Sequence, residues 1–133
     1  LDQKEDAKTL FSHKAYQLLV AEDNPINQIV ITKFLQQLGL EAVMANNGQE
    51  AVELASNHTF DLILMDIQMP VMDGYHASEI LLARDKFSTP IVAVSANAMM
   101  SDIEKCLKIG MVGHLAKPIE YSKLVELLKT WLH

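Results

Sequence analysis

The segment Phe60–Gly74, FDLILMDIQMPVMDG, decides the fold. Its apolar run Leu62–Met65 is too short for a buried helix and is typical of a strand covered on both faces of a parallel sheet. Asp66 follows directly, and Pro70 and Gly74 then indicate a loop. Ligands bind at the carboxyl ends of the strands in open α/β sheets. We therefore predict that Asp66 is a working carboxylate at that edge and lies outside the core.

Similar apolar runs recur along the chain, and each is followed by residues with helical spacing. The predicted strands are Leu18–Ala21, Glu41–Ala45, Leu62–Met65, Ile91–Val94 and Gly113–Ala116. The predicted helices cover residues 25–38, 49–57, 75–84, 100–109 and 121–132. Strands that alternate with helices in this way predict an α/β fold, in which one doubly wound, five-stranded parallel sheet carries helices on both faces.

The composition fits one globular domain. The chain has 133 residues, half of them hydrophobic, which is enough for one core. Its net charge of −6 argues against a nucleic-acid-binding surface, and no apolar run has the length of a membrane span. A single cysteine, Cys106, and the lack of a secretory pattern at Leu1 indicate a cytoplasmic setting. The polar residues 1–15 predict a linker or tail from an upstream region, and residues 16–133 the folded domain.

Four of the predicted strands end in polar side chains. Glu22 and Asp23 follow the first strand, Asp66 the third, Ser95 the fourth and Lys117 the fifth. Because a parallel sheet places these strand ends at one edge, we expect three carboxylates, a hydroxyl and an ammonium group to converge there. Three carboxylates so close together repel one another unless a cation joins them, and one lysine is insufficient.

The predicted cluster has the chemistry of a magnesium site for phosphoryl transfer. Mg²⁺ binds through one or two carboxylates, water molecules and phosphate oxygens, whereas zinc prefers histidine or cysteine, which this cluster lacks. A magnesium ion, a lysine and a hydroxyl around a carboxylate together neutralise a transferring phosphoryl group. The carboxylate is then the predicted nucleophile, which forms an aspartyl-phosphate.

In combination these motifs resemble a response-regulator receiver domain. The resemblance runs from Tyr16 to Leu132, and its motifs follow one another in the order Glu22-Asp23, Met65-Asp66 with Pro70 and Gly74, Ser95-Ala96, and Lys117-Pro118. The stretches 20–27 (VAEDNPIN) and 65–70 (MDIQMP) resemble receivers attached to hybrid sensor histidine kinases. The resemblance implies a flavodoxin-like sheet of order 2-1-3-4-5 and a function in two-component signal transduction.

The resemblance implies a phosphoacceptor and a set of magnesium ligands. Asp66 would be the phosphoacceptor and would also contact the metal. Asp23 would bind Mg²⁺ directly, and Glu22 would assist, partly through water. Gln68 would offer its backbone carbonyl oxygen to the metal.

The resemblance also implies how the phosphoryl group is held and sensed. Ser95, the backbone N–H of Ala96 and Lys117 would bind it, and the Lys117–Pro118 peptide bond would be cis. Ser95 stands where threonine is more usual, and His114 where a switching tyrosine or phenylalanine is common. His114 either turns inward with the Ser95 hydroxyl or is an exposed imidazole without a signalling role. In the first case switching would depend on pH, because histidine titrates near pH 6.5.

The implied partners are a histidine kinase or a histidine-phosphotransfer domain, whose phosphohistidine donates the phosphoryl group while the receiver catalyses its own phosphorylation. No nucleic acid or membrane is expected to bind this fragment, and a homodimer stays open. The parent chain is expected to be a hybrid histidine kinase, anchored in the inner membrane. A solitary response regulator is the alternative.

Two other functions compete with this interpretation. A Mg²⁺-dependent phosphatase of the haloacid dehalogenase type also uses an aspartate nucleophile, but it needs a second aspartate two residues later, where this chain has Gln68. A degenerate receiver used only for binding would lack one of the charged residues of the site, and all four are present: Glu22, Asp23, Asp66 and Lys117.

Overall fold

The computed structural model describes residues 10–12, 14–96 and 99–132. Within them strands and helices alternate without interruption. The strands are β1 (Leu18–Ala21), β2 (Ala42–Ala45), β3 (Leu62–Asp66), β4 (Ile91–Ser95) and β5 (Gly113–Ala116). The helices are α1 (Pro25–Gln37), α2 (Gly48–Asn57), α3 (Gly74–Leu82), α4 (Met100–Ile109) and α5 (Tyr121–Trp131). None of these described helices is long and apolar enough to cross a membrane.

The strands form one parallel sheet of order β2-β1-β3-β4-β5. This confirms the predicted fold class and strand order. Each strand is connected to the next through a helix, because parallel neighbours need such a crossover. From β1 the chain passes to β2 at one edge of the sheet. It then crosses to β3 on the other side of β1 and continues through β4 to β5 at the opposite edge.

Each face of the sheet has its own hydrophobic core. On one face alternate strand residues such as Leu18 and Leu64 pack beneath α1 and α5, in a cluster that includes Ile31, Leu35 and Leu124. On the other face the intervening strand residues pack beneath α2, α3 and α4, in a cluster that contains Leu19, Ala21, Ile63, Met65, Ala51, Ala77, Leu81 and Cys106. The central strands are therefore covered on both faces, as their continuous apolar sequence predicts.

The main correction to the predicted elements concerns the ends of β3 and β4. Both strands run one residue further than their apolar sequences, to Asp66 and Ser95. Asp66 pairs with Val94, and the Ile67 N–H donates to the Val94 carbonyl oxygen at 3.0 Å, so backbone pairing continues past the last apolar residue. Asp66 is only 2 % exposed, so the expectation that it lies outside the core is wrong as far as its burial is concerned.

The remaining differences are small and lie at element ends. β2 begins at Ala42, α2 begins at Gly48, α3 ends at Leu82, and α1 and α5 each end one residue before the predicted position. Most of the predicted linker at 1–15 lies outside the described residues, as does residue 133. Within that linker Phe11 is 5 % exposed and packs edge-on against Tyr16, with 6.3 Å between the ring centroids.

Three helices begin with a side-chain cap at the carboxyl edge of the sheet. Asn24 accepts a hydrogen bond from the Ile26 N–H at the start of α1 (2.8 Å). Asn47 accepts one from the Glu50 N–H at the start of α2 (2.8 Å), and Asp73 caps α3 in the same way. Such caps satisfy backbone donors that the helix itself leaves unpaired. They fix the loops that surround the strand ends.

Candidate functional site

Three carboxylates meet at the carboxyl edge of the sheet. Glu22 and Asp23 follow β1, Asp66 ends β3, and one oxygen atom of each residue lies within 4.8 Å of the others. The side chains of Glu22 and Asp66 are nearly inaccessible, with relative exposures of 1 % and 2 %, whereas Asp23 is exposed. The cluster is therefore embedded in the protein but open to solvent on the side of Asp23.

Lys117 supplies the positive charge of the site. Its Nζ atom donates a hydrogen bond to Asp66 Oδ2 at 2.6 Å and lies 2.9 Å from Glu22 Oε1. Burial lowers the pKa of Lys117, but the contacts with the two carboxylates outweigh burial and raise the net pKa above its ordinary value. The ammonium group thus stays charged at neutral pH, yet one positive charge cannot balance three carboxylates.

Backbone groups hold the phosphoacceptor candidate in place. The Gln68 N–H donates to Asp66 Oδ1 at 3.0 Å. Gly74 lies so close to β3 that a Cβ atom there would clash with the Asp66 carbonyl oxygen, and the Gly74 N–H donates to the Ile67 carbonyl oxygen at 3.2 Å. The loop after β3 therefore folds back on its own strand, which explains why glycine stands at this position.

A side-chain network that the sequence did not suggest supports the acidic pair. Gln28, in the second turn of α1, donates from Nε2 to the Glu22 carbonyl oxygen (2.5 Å) and to Asn46 Oδ1 (2.9 Å). Glu50 Oε1 in turn accepts from the Asn46 N–H at 3.1 Å. The loops after β1 and β2 are thereby joined. The only sequence signal was that Gln28 lies four residues after the cap Asn24, hence on the side of α1 that faces the loop.

The Ser95 hydroxyl makes a contact that was also not predicted. Ser95 is 1 % exposed, and its Oγ atom lies 2.7 Å from Nε2 of His114 on β5. His114 is half-buried, and its role as a switch residue stays a prediction. The Lys117 N–H donates to the Ser95 carbonyl oxygen (2.8 Å), and Ala96 follows as an exposed residue. The phosphoryl-binding roles of Ser95, Ala96 and Lys117 stay predictions.

The donor set fits magnesium. It consists of carboxylate oxygens alone, which hard divalent cations prefer. Glu22 Oε1 is buried and accepts no well-aligned hydrogen bond, although the Lys117 ammonium lies 2.9 Å away, so this oxygen has bonding capacity left for a cation. Gln68 is exposed next to the cluster, and the metal-binding role of its carbonyl oxygen stays a prediction. The Lys117–Pro118 peptide bond is cis, as the resemblance implied.

Comparison with known proteins identifies the family. The sequence matches the family model of the response regulator receiver domain over residues 18–129. The sensor protein GacS of Pseudomonas syringae pv. syringae is 38 % identical over 124 residues, which cover 90 % of this chain and 14 % of GacS. The chain therefore spans a small part of that relative's length. It belongs to the response regulator receiver domain family, and the resemblance to receivers of sensor kinases is confirmed.

Solved structures agree with this assignment. The receiver domain of sensor histidine kinase PA1611 from Pseudomonas aeruginosa PAO1 has a TM-score of 0.82 and 39 % identity, covers 90 % of this chain and 98 % of that one, and holds a magnesium ion in its active site cleft. The receiver domain of Saccharomyces cerevisiae Ssk1, solved with the histidine phosphotransfer protein Ypd1, has a TM-score of 0.80 and 30 % identity, with coverages of 90 % and 92 %.

Proposed function

We propose that Asp66 accepts a phosphoryl group from a phosphohistidine of a partner protein. The observation that carries this proposal is the position of Asp66, whose carboxylate is held 2.6 Å from the Lys117 ammonium and within 4.8 Å of the oxygens of Glu22 and Asp23. An Asp66 oxygen forms a bond to phosphorus while the phosphorus–nitrogen bond of the phosphohistidine breaks. The bonding electron pair stays with the departing imidazole, which takes up a proton.

The residues around Asp66 prepare it for this transfer. Glu22, Asp23, Asp66 and the Gln68 carbonyl oxygen would hold Mg²⁺, which supplies positive charge against the phosphoryl oxygens. The Lys117 ammonium can exchange its bond to the free carboxylate for one to a phosphoryl oxygen. Because the site is buried, these charges interact more strongly than they would in water. The magnesium ion in the PA1611 receiver supports the metal assignment.

The alternative phosphatase function has weaker support. The family assignment favours a receiver, and Gln68 cannot serve as a general acid because an amide has no ionisable proton near neutral pH. The chain therefore keeps a nucleophile but lacks the group that would rapidly release the product. Accepting the phosphoryl group and passing it on, or changing conformation in response, is the function this chemistry favours.

A surface for the phosphodonor lies beside the site on α1. Ile26 and Ile29 are 71 % and 55 % exposed, and Lys33 is the only charged residue of this helix. A cavity of about 60 Å³ adjoins it, lined by Asn27, Val30, Ile31, Lys117, Pro118 and Ile119. Exposed apolar residues next to a reactive group are typical of a partner surface. The complex of the Ssk1 receiver with a histidine phosphotransfer protein supports a partner of that class.

The chain would be one part of a larger signalling protein. It spans 14 % of the length of GacS, and we propose that it is the receiver of a hybrid histidine kinase, with residues 1–15 as the linker from an upstream region. The receiver would lie in the cytoplasm, while the parent chain is anchored in the inner membrane. A solitary response regulator is the alternative, and the length of the parent gene distinguishes the two.

Phosphorylation by a small donor tests the proposed function. The chain is incubated with acetyl phosphate and Mg²⁺, and its intact mass should rise by one phosphoryl group, about 80 Da. Asp66→Asn should abolish the increase. Asp85→Asn, which changes an exposed aspartate in the loop after α3, is the matched control and should leave it unchanged. A full mass increase in the Asp66→Asn variant would show that the phosphoacceptor is a different residue.

A further inference from the structure

Ser95, which is predicted to bind the phosphoryl group, is hydrogen-bonded to the titratable side chain of His114. His114 pairs with Ala93 across the β4–β5 ladder, which makes Ser95 and His114 diagonal neighbours on one face of the sheet. Their side chains meet at 2.7 Å between Ser95 Oγ and His114 Nε2. A tyrosine or phenylalanine on β5 would neither gain nor lose a proton at this contact near neutral pH. Because a histidine stands here, the protonation state of this contact can change near neutral pH.

Either Ser95 Oγ or His114 Nε2 can be the donor of this hydrogen bond. The choice decides whether the Ser95 hydroxyl proton is available to a phosphoryl oxygen. When Nε2 carries no proton, it accepts the Ser95 hydroxyl proton, and none is left to donate to a phosphoryl oxygen. When Nε2 carries a proton, it donates to Ser95 Oγ, and the hydroxyl proton can turn towards the phosphoryl group. The imidazolium form is always a donor at Nε2, so it favours the second direction.

We propose that His114 positions the Ser95 hydroxyl for the phosphoryl group and takes up a proton from solvent when the Asp66 site is phosphorylated. This inference rests on the proposed function. The added negative charge of the phosphoryl group favours the imidazolium, and the imidazolium orients the hydroxyl proton towards that charge. An N–H bond forms on the imidazole while an O–H bond of a hydronium ion in the solvent breaks and leaves a water molecule. His114 is thus a positioning residue, since it acts on the phosphoryl group through Ser95.

The surroundings of His114 determine its protonation state before the phosphoryl group is added. Burial lowers the pKa of His114, the negative charge of Asp102 on α4 partly offsets this effect, and the net pKa lies below the ordinary value of 6.5. β4 contributes no charged side chain, and among the described residues Asp102 is the charged group that acts on the imidazole. Lys117, three residues further along the chain, is held by Asp66 and Glu22. His114 is therefore neutral in the free protein at pH 7.

Histidine NMR measures the proton uptake directly. The imidazole resonances of His114 are titrated from about pH 5 to 8 in the free chain and in the chain with beryllofluoride and Mg²⁺, where beryllofluoride stands in for the phosphoryl group. We expect the pKa of His114 to rise by about one unit on binding. His76 on α3, which is exposed and lies outside the cluster, is the internal control, and beryllofluoride should not move its imidazole resonances at a given pH.

A variant and a binding signal make the result decisive. His114→Gln keeps a neutral side chain of similar reach, and beryllofluoride binding should lose the part of its pH dependence that comes from His114, about tenfold between pH 5.5 and 7.5. An unchanged pKa of His114, with the amide resonances of Asp66 and Gln68 shifted by beryllofluoride, would overturn the inference and leave the proposed function intact. If those amide resonances do not shift, the proposed function itself fails.

Discussion

Neighbouring residues of β3 are equally buried in the interior of the sheet and at its carboxyl edge, but their surroundings are chemically opposite. Leu64 and Met65 in β3 are 1 % and 0 % exposed and contact apolar side chains on the two faces of the sheet. Asp66, the next residue, is 2 % exposed but faces two other carboxylates and one ammonium group. Burying an apolar side chain stabilises the fold by about 1.5–3 kcal/mol, whereas burying a charge is unfavourable unless a partner meets it.

This difference explains where a rigid fold can hold a reactive group. Packing in the interior fixes the positions of the strands. The strands in turn hold the carboxylates close together at the edge although these groups repel one another. Lys117 offsets part of this repulsion. The charge that remains unbalanced attracts a further cation. The sheet therefore already holds the three carboxylates where one further cation could join them.

The largest effect on stability should come from the interior. Leu64→Ala removes a side chain that is 1 % exposed and leaves a cavity, so it should lower the free energy of unfolding by about 2–5 kcal/mol in urea titrations. Ile29→Ala on α1, where the side chain is 55 % exposed, is the control and should change stability by less than about 0.5 kcal/mol. Equal losses for the two variants would contradict the assignment of Leu64 to the core.

The next largest effect should come from the ion pair at the edge. Lys117→Met leaves Glu22 and Asp66 buried without their cation, and because the lysine side chain is 20 % exposed we expect a loss of about 2 kcal/mol, below the range for fully buried pairs. Lys14→Met removes an exposed partner that lies 3.9 Å from Asp61, and it should cost less than about 1 kcal/mol.

Alkaline titration gives this prediction a second measurement. The pKa of Lys117 is raised in the folded state, so its stabilising effect is fully present below the ordinary value of 10.5 and is lost as the pH rises through the higher folded value. The stability of the Lys117→Met variant should lack this alkaline loss. If Lys117→Met cost as little stability as Lys14→Met, the buried carboxylates Glu22 and Asp66 would not depend on the Lys117 ammonium.

A smaller effect should come from magnesium. Binding to the folded state alone stabilises it, and at ten times the dissociation constant the gain should be about 1.4 kcal/mol. Asp23→Asn should reduce this gain strongly, because Asp23 is the exposed carboxylate of the cluster, whereas Asp85→Asn should preserve it. Thermal unfolding with and without Mg²⁺ measures the difference. An undiminished gain in the Asp23→Asn variant would place the metal elsewhere.

The sheet could be predicted from sequence, whereas the burial of its edge could not. Continuous apolar runs such as Leu62–Met65 identify buried parallel strands, and the polar residues after them identify the edge at which they converge. The same pattern could not show that Asp66 is as buried as Met65, because the last ladder bond is made by backbone atoms of Ile67 and Val94. Residue types alone do not predict how far such backbone hydrogen bonding continues.

Contacts between distant side chains were the other part that sequence could not supply. Glu22 and Asp23 are adjacent acids, yet one is buried and the other exposed, because successive residues at a strand end point in different directions. Ser95 and His114 are 19 residues apart, and their contact depends on strand register and on side-chain rotamers. The resemblance marked both positions as important but did not predict that they share a hydrogen bond.

Chemical trapping of the phosphorylated residue tests the central claim most directly. The chain is phosphorylated with acetyl phosphate and Mg²⁺ and then treated with borohydride, which reduces an aspartyl-phosphate to homoserine. Peptide mass spectrometry should find homoserine at position 66 and unchanged aspartate at positions 23, 61 and 85. Homoserine at one of those three positions, with Asp66 unmodified, would contradict the account.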